Sequence, residues 1–224
     1  IVKTLLTVVV VLSLALACSS IMGSAPTLAE LEGDNPVRAL PEAPLGFEFG
    51  VGDLKVKPDP ERVRLGRWLF FDPLLSADGS VSCATCHRPE NAFSEPTPVS
   101  TGIRGQMGGR KAPSFVNAAY AFYPATFWDG RAASLEEQAK GPIENPIEMG
   151  TTHEAVVEAV AAIPNYRVFF QRAFGDDEVT IDRIAHAIAD YERTRVSGNS
   201  RYDQWLDADE DEPGYVSPLT EQEI

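Results

Sequence analysis

The chain has 224 residues, 44% of them hydrophobic, which is enough for one domain with a buried core and part of a second. Its formal net charge of −14 excludes a typical nucleic-acid-binding protein, because such proteins need a basic face for the phosphates. Three cysteines are too few for the disulfide scaffold of a small secreted domain.

The N-terminus has the layout of an export signal. An apolar run follows Lys3 and ends at Ala17, which is too short for a membrane span of about 20 residues. We therefore predict a signal peptide over 1–17. The sequence ALACSS resembles a bacterial lipobox, which predicts a periplasmic protein that contacts the membrane only through a lipid on Cys18; a cleaved signal with an unmodified cysteine is the alternative. Residues 18–44 lack a periodic apolar face and are predicted to be a flexible tether.

The rest of the chain is predicted to be all-α with long loops. Asp59 is a suitable N-cap for PERVRLGRWLFF over 60–71, and Asp72-Pro73 ends that helix. No segment shows sustained strand alternation. Further helical patterns, the first two of them short, lie at 82–88, 114–121, 134–140, 152–162, 165–174 and 180–195.

The sequence Cys83-Ala84-Thr85-Cys86-His87 is the attachment pattern of a c-type haem. Two thiols three positions apart on one helical turn can each bond a vinyl group of the porphyrin, and His87 can then bind the iron as proximal ligand. A zinc site would need a second pair of soft ligands, and a thioredoxin-type pair would need a βαβ setting. The sequence has neither pattern, so we predict covalently bound haem.

The function of the haem iron depends on what occupies its sixth coordination position. A second strong protein ligand makes an electron carrier, whereas an open position binds peroxide. Met107 and Met149 follow the haem motif and are the candidate ligands. The spacing of Met149 is sensible for an electron-transfer cytochrome, so both functions stay open on spacing alone.

Three further segments carry a resemblance to a known family. In order they are LGRWLFFDPLLSADGSVSCATCHRPENAFS, GGRKAPSFVNAAY and FWDGRAASLEEQAKGPIENPIEMG. They resemble the bacterial di-haem cytochrome c peroxidases with their MauG-type relatives. The resemblance implies a cytochrome c-like, peroxidatic haem domain over 45–216. It also implies the start of a second such domain over 217–224, where the sequence has helix-start signals, so the sequence looks truncated before a second haem motif.

The resemblance also implies roles for single residues. Glu148 matches the acid that moves a proton in the peroxide pocket, and Gln138 matches an amide that lines it. Trp128 matches a tryptophan between the two haems, a conduit for electrons. Cys83, Cys86 and His87 match the covalent and proximal attachments of the first haem.

Two positions depart from the family pattern. Many members carry a histidine that caps the resting iron where this chain has Arg104, and arginine is not an iron ligand. We therefore predict an iron that is five-coordinate or water-bound, with Met107 as the nearby substitute ligand. Lys111 stands where relatives often have asparagine near a calcium ion, so bound calcium is not predicted.

The resemblance implies an enzyme that reduces hydrogen peroxide to water with electrons from a cytochrome c or another small redox protein. One haem c is expected in this chain and a second in the full-length protein. A MauG-type enzyme that oxidises a protein substrate and a plain electron-transfer cytochrome are the alternatives. The acidic balance favours a basic electron partner. The oligomeric state stays open, with a homodimer among the options.

Overall fold

The computed structural model describes residues 26–47, 50, 53–54, 56–120, 126–209 and 211–223. The predicted signal peptide over 1–17 and Cys18 lie outside these residues. Within the described part, no helix is both long enough and apolar enough to cross a membrane. The chain divides into two compact units, Ile1–Asp34 and Asn35–Ile224, which we describe separately.

Ordered structure begins earlier than the predicted tether boundary at residue 45. In the first unit, helix α1 spans Leu28–Asp34, and the Thr27 N–H and hydroxyl each donate to the Glu30 carboxylate at 2.8 Å. In the second unit, Asn35 is buried and its Nδ2 donates to the Arg64 carbonyl at 2.9 Å. Polar caps and a single buried asparagine leave no periodic apolar pattern, so periodicity alone does not identify either feature.

The second unit confirms the all-α fold class. The described residues contain isolated β-bridges but no strand. The segment predicted as helix at 82–88 is helical only over its central turn, and the one at 114–121 is reduced to a 3-10 turn at Ala118–Tyr120. The helices of this unit are α2 (Pro60–Phe71), α3 (Cys83–Cys86), α4 (Leu135–Glu144), α5 (His153–Ala161), α6 (Pro164–Phe174), α7 (Ile181–Arg193) and α8 (Arg201–Asp207).

The core forms where α2 crosses α7. A Cβ atom added to Gly66 would lie 1.8 Å from the Ala187 carbonyl oxygen, so only glycine permits this close backbone approach. The Asp59 side chain caps α2 by accepting from the Glu61 and Arg62 amides at 2.9 and 3.1 Å. The buried side chains at the crossing are those of Leu65, Leu69, Phe70, Ile184 and Ile188.

A buried ionic network fixes α2, α4 and α7 relative to one another. Asp190 on α7 has no exposed surface and accepts from Arg62 Nε at 2.7 Å and from the Asp59 amide at 3.1 Å. Arg193 donates to Asp190 at 3.2 Å and to Glu136 on α4 at 2.7 Å. Buried charges of this kind are tolerated because each has partners. The network therefore holds α4 in a defined position relative to α2 and α7.

Candidate functional site

The haem motif forms one short helical turn, α3, that places its two thiols close together. The Ser82 amide donates to the Thr85 hydroxyl at 3.0 Å, which begins the turn, and the His87 amide donates to the Cys83 carbonyl at 2.9 Å, which ends it. The two cysteines are not joined in a disulfide. Burial raises the pKa of Cys83 to about 12 and also raises the pKa of Cys86, so both side chains are neutral thiols.

The loop after α3 orients the His87 ring. Ala92 and Phe93 both have left-handed backbone angles, with φ of 52° and 57°, and the Phe93 carbonyl lies 2.9 Å from His87 Nδ1. Burial lowers the pKa of His87, against the opposing effect of carbonyl hydrogen bonds, so the imidazole is neutral. In the tautomer that donates from Nδ1 to this carbonyl, the lone pair is on Nε2. This is the arrangement that metal-binding histidines use.

One cavity of about 540 Å³ brings together the predicted site residues of the described chain. The haem motif comes from one stretch of sequence, and the tryptophan, the amide and the acid come from a second stretch over 127–150. Its lining contains Cys83, Cys86, His87, Trp128, Gln138 and Glu148. The structure therefore gathers these side chains around one space, while the roles assigned to them stay predictions.

Glu148 stands half-buried in the turn that follows α4. Its Oε1 accepts from Asn145 Nδ2 at 2.7 Å. Burial raises the pKa of Glu148, and the positive charge of Arg131 and the Asn145 hydrogen bond act in the opposite direction. Gln138 reaches the same cavity from the middle of α4. The pair therefore offers one titratable carboxyl and one neutral amide to a bound ligand.

Trp128 stands at the exposed edge of the cavity. Its side chain is 64% exposed, and its Nε1 donates to the Lys111 carbonyl at 2.8 Å. Phe127, which precedes it, has a left-handed φ of 64° and packs beneath the Arg131 guanidinium at 3.5 Å. The hydrogen bond to the Lys111 carbonyl thus fixes the indole against that loop, while the exposed part of the ring can contact a partner.

The two departures from the family pattern also have definite positions. Arg104 is exposed, with a left-handed φ of 55°, and does not line the cavity. Met107 is 69% exposed and likewise lies outside the lining, which argues against it as a substitute ligand. Met149 is 3% exposed and lines the cavity wall. Of these two methionines, only Met149 lines the cavity.

Glu192 is a cavity residue that the sequence analysis did not identify. It is 5% exposed, lines the cavity from α7, and its Oε2 is buried without a hydrogen-bond partner. Burial raises its pKa to about 8, which favours the protonated, neutral form near pH 7. Its position four residues after the buried Ile188 is the signal that would have placed it on the inner face of α7.

The residues present fit a covalently attached haem. The thiols and the available His87 nitrogen supply the attachment chemistry on one wall, as the c-type motif requires. The remaining walls are largely apolar, as a porphyrin face needs, with the side chains of Val81, Phe115, Leu135, Ala139, Met149 and Ile188.

Comparison with known proteins gives a consistent result. The family model described as di-haem cytochrome c peroxidase matches residues 60–211. The chain is 40% identical over 197 residues to the cytochrome c551 peroxidase of Nitrosomonas europaea, covering 88% of this chain and 54% of that protein. It is 43% identical over 152 residues to the methylamine utilization protein MauG of Methylorubrum extorquens, covering 67% of this chain and 42% of that protein.

Solved structures with the same fold include a MauG-like protein associated with microbial copper homeostasis. It matches with a TM-score of 0.62 and 30% identity, over 76% of this chain and 48% of that one. The diheme peroxidase BthA from Burkholderia thailandensis matches with a TM-score of 0.59 and 31% identity, over 67% of this chain and 43% of that one. The chain thus spans about half the length of the relatives it matches.

Proposed function

The chain belongs to the di-haem cytochrome c peroxidase family, and from that premise we propose that it forms a peroxide-reducing haem domain. The observation that carries this proposal is the presence of Glu148 and Gln138 in the cavity that the haem motif lines. An electron carrier needs no acid and amide at its iron, whereas reduction of hydrogen peroxide to two waters consumes two protons with its two electrons. Glu148 provides a carboxyl group that can transfer protons in this reaction.

When bound, the haem supplies the iron that accepts peroxide and the store of oxidising equivalents. Cys83 and Cys86 would hold the porphyrin covalently, and His87 would present Nε2 to the iron while Nδ1 donates to the Phe93 carbonyl. That hydrogen bond fixes the ring orientation and increases the basicity of the ligating nitrogen. These three residues therefore position the cofactor and adjust its electronic properties.

Glu148 then acts as the proton carrier of the pocket. Its carboxylate can take the proton from one peroxide oxygen and return it to the other oxygen, which then leaves as water. Burial raises its pKa, which brings the protonated and ionised forms closer to equal population near neutral pH than for an exposed glutamate. Gln138 donates from its amide and orients the peroxide for this transfer.

We propose that a small redox protein, such as a cytochrome c, supplies the electrons, which pass Trp128 on the exposed edge of the cavity. The second haem expected from the resemblance would stand between that donor and this domain. Export to the periplasm, lipidation at Cys18 and the domain boundaries at residues 17, 44 and 216 remain proposals from the sequence.

A MauG-type function is the second candidate, supported by the 43% identity to MauG. Such an enzyme would use the same haem site but pass oxidising equivalents to a protein side chain. Consumption of hydrogen peroxide with a reduced cytochrome as electron source supports the peroxidase. Peroxide-dependent oxidation of a protein without that donor supports the MauG-type enzyme.

Glu148→Gln tests the proposed function against an electron carrier. The haem-loaded protein is expected to lose about 10²–10⁴-fold in peroxide turnover, the usual contribution of a general acid–base group, with its haem content unchanged. Glu144→Gln is the matched control, because Glu144 is an exposed acid of α4 outside the cavity. Equal turnover in the two variants would remove Glu148 from the mechanism. A wild-type protein without peroxide turnover whose iron is bound by Met149 would be an electron carrier.

A further inference from the structure

Three basic side chains line the same cavity at its exposed edge: Arg110, Lys111 and Arg131, together called the basic rim. One acid, Asp129, lies among them. Arg110 donates to Asp129 at 3.2 Å, and Arg131 donates to both of its oxygens at 2.8 and 3.0 Å. Three cations and one carboxylate leave a local excess of two positive charges, in a chain whose net charge is −14.

The acids deeper in the cavity offset this excess less than exposed acids would. Burial raises the pKa of Glu192 to about 8 and also raises the pKa of Glu148, which makes a negative charge on either side chain less favourable. Asp129 is the remaining acid of the lining, and two arginines already share it. The cavity therefore offers positive charge at its edge to a ligand that carries negative charge.

Arg131 is held in a fixed orientation at this edge. Its guanidinium lies 3.5 Å from the centre of the Phe127 ring, and both bonds to Asp129 use Nη1. Nε and Nη2 remain as donors, and together they match the two oxygens of a carboxylate. Lys111 is a further exposed cation of the cavity lining.

The haem that the cysteines hold has two anionic groups, its propionate carboxylates, on the edge of the porphyrin opposite the vinyl groups. We propose that the basic rim seats these two propionates, with Arg131 as a two-pronged donor and Lys111 as a second cation. The local excess of two positive charges equals the charge of the pair. This inference depends on the bound haem and not on the proposed peroxidase activity.

The test measures the haem and not turnover. Lys111→Gln and Arg131→Gln are made in the full-length, haem-loaded protein, with Arg104→Gln as the control. Arg104 is an exposed arginine of the neighbouring loop that does not line the cavity, so its replacement removes the same charge elsewhere. Covalent haem content and the position of the absorption bands show whether each variant is folded and loaded.

Loss of a cation beside the propionates favours the ferric form, because that form carries one more positive charge. We expect each rim variant to shift the ferric–ferrous equilibrium of this haem toward ferric by about tenfold, and the Arg104 control by much less. We also expect the propionate bending bands in the resonance Raman spectrum to shift in the rim variants. Arg131→Lys keeps the positive charge but loses the paired guanidinium donors. The ferric–ferrous equilibrium of this variant should therefore be close to that of the wild type, while its propionate bending bands should still be shifted.

Two results would overturn the proposal. In the first, the rim variants shift the equilibrium no more than Arg104→Gln does, and the propionate bands stay in place. In the second, Arg131→Gln slows peroxide turnover while both haem measurements are unchanged, which would assign Arg131 to the peroxide itself.

Discussion

Gly102 fixes the position of Glu148, and its replacement by alanine should impair peroxide turnover without removing the haem. A Cβ atom at Gly102 would lie 2.0 Å from the Ile147 carbonyl oxygen and 2.6 Å from that of Glu148. Both are backbone atoms, so no side chain can rotate away. To reach even 3.0 Å, the first contact must lengthen by 1.0 Å, which moves the two segments apart.

The expected losses follow from that displacement. Misplacing a reacting group by about 1 Å can cost on the order of 10²-fold in rate, so Gly102→Ala should lower peroxide turnover by about that factor. The shift also strains the hydrogen bond from the Ile103 amide to the Glu148 carbonyl, now 2.9 Å long and worth about 1 kcal/mol. With about 1–3 kcal/mol for overpacking, the free energy of unfolding should fall by roughly 2–4 kcal/mol.

The control separates lost stability from lost geometry. Gly105, in the same loop, has a φ of +70°, and an added Cβ atom meets nothing within 4 Å. Gly105→Ala should therefore cost about 1–2 kcal/mol of stability through its backbone angle and leave turnover near the wild-type rate. Turnover, haem content and denaturant unfolding are measured on both haem-loaded variants. Wild-type turnover in Gly102→Ala would refute the reasoning that this contact positions Glu148.

Two further predictions concern the iron and the buried acid. The haem-loaded protein should give a high-spin ferric spectrum, because Arg104 replaces the usual histidine and lies outside the cavity; a low-spin spectrum that Met149→Leu abolishes would contradict this. Burial raises the pKa of Glu192 from 4.5 to about 8, with Arg193 lowering and Glu136 raising it, so the folded protein keeps a proton that the unfolded chain releases. The free energy of unfolding should therefore fall by up to about 1.4 kcal/mol per pH unit as the pH rises from 4.5 to about 8. In Glu192→Gln, this dependence of the unfolding free energy on pH should disappear. If the variant keeps the same dependence, Glu192 does not titrate in this way.

Local patterns predicted the longer helices of the second unit but missed the short helices α1 and α8 and the ionic network. The Asp59-Pro60 start and the apolar face of 60–71 are near-neighbour signals, and α2 has those bounds. Asp190 accepts from Arg62, which lies 128 positions earlier in the chain, and a local sequence pattern cannot predict a contact between residues so far apart. It depends on the crossing of α2 and α7, which the close approach at Gly66 makes possible.

The same distinction applies to the cavity. The haem motif is a local spacing, and motif resemblance supplied Glu148, Gln138 and Trp128, which the structure places around one space. Glu192 belongs to no chemical motif, and only the helical phase of α7 turns it inward. That phase can be read from the sequence, but the phase alone does not show that the inner face of α7 borders a cavity.

The net charge of the whole chain does not predict the charge of a partner that binds at one part of its surface. The net charge of −14 favours a basic electron donor, but an exposed charge acts over about 8 Å at physiological ionic strength. At the cavity edge where Trp128 stands, the basic rim and Asp129 leave two positive charges. If the haem propionates neutralise the rim, the surface at Trp128 carries little net charge, and a partner group there is selected by contact with the indole. If the rim stays unpaired, the same surface attracts an acidic partner, which is the opposite of what the composition favours. The propionate bands of the rim variants therefore also decide which charge a partner at Trp128 must carry.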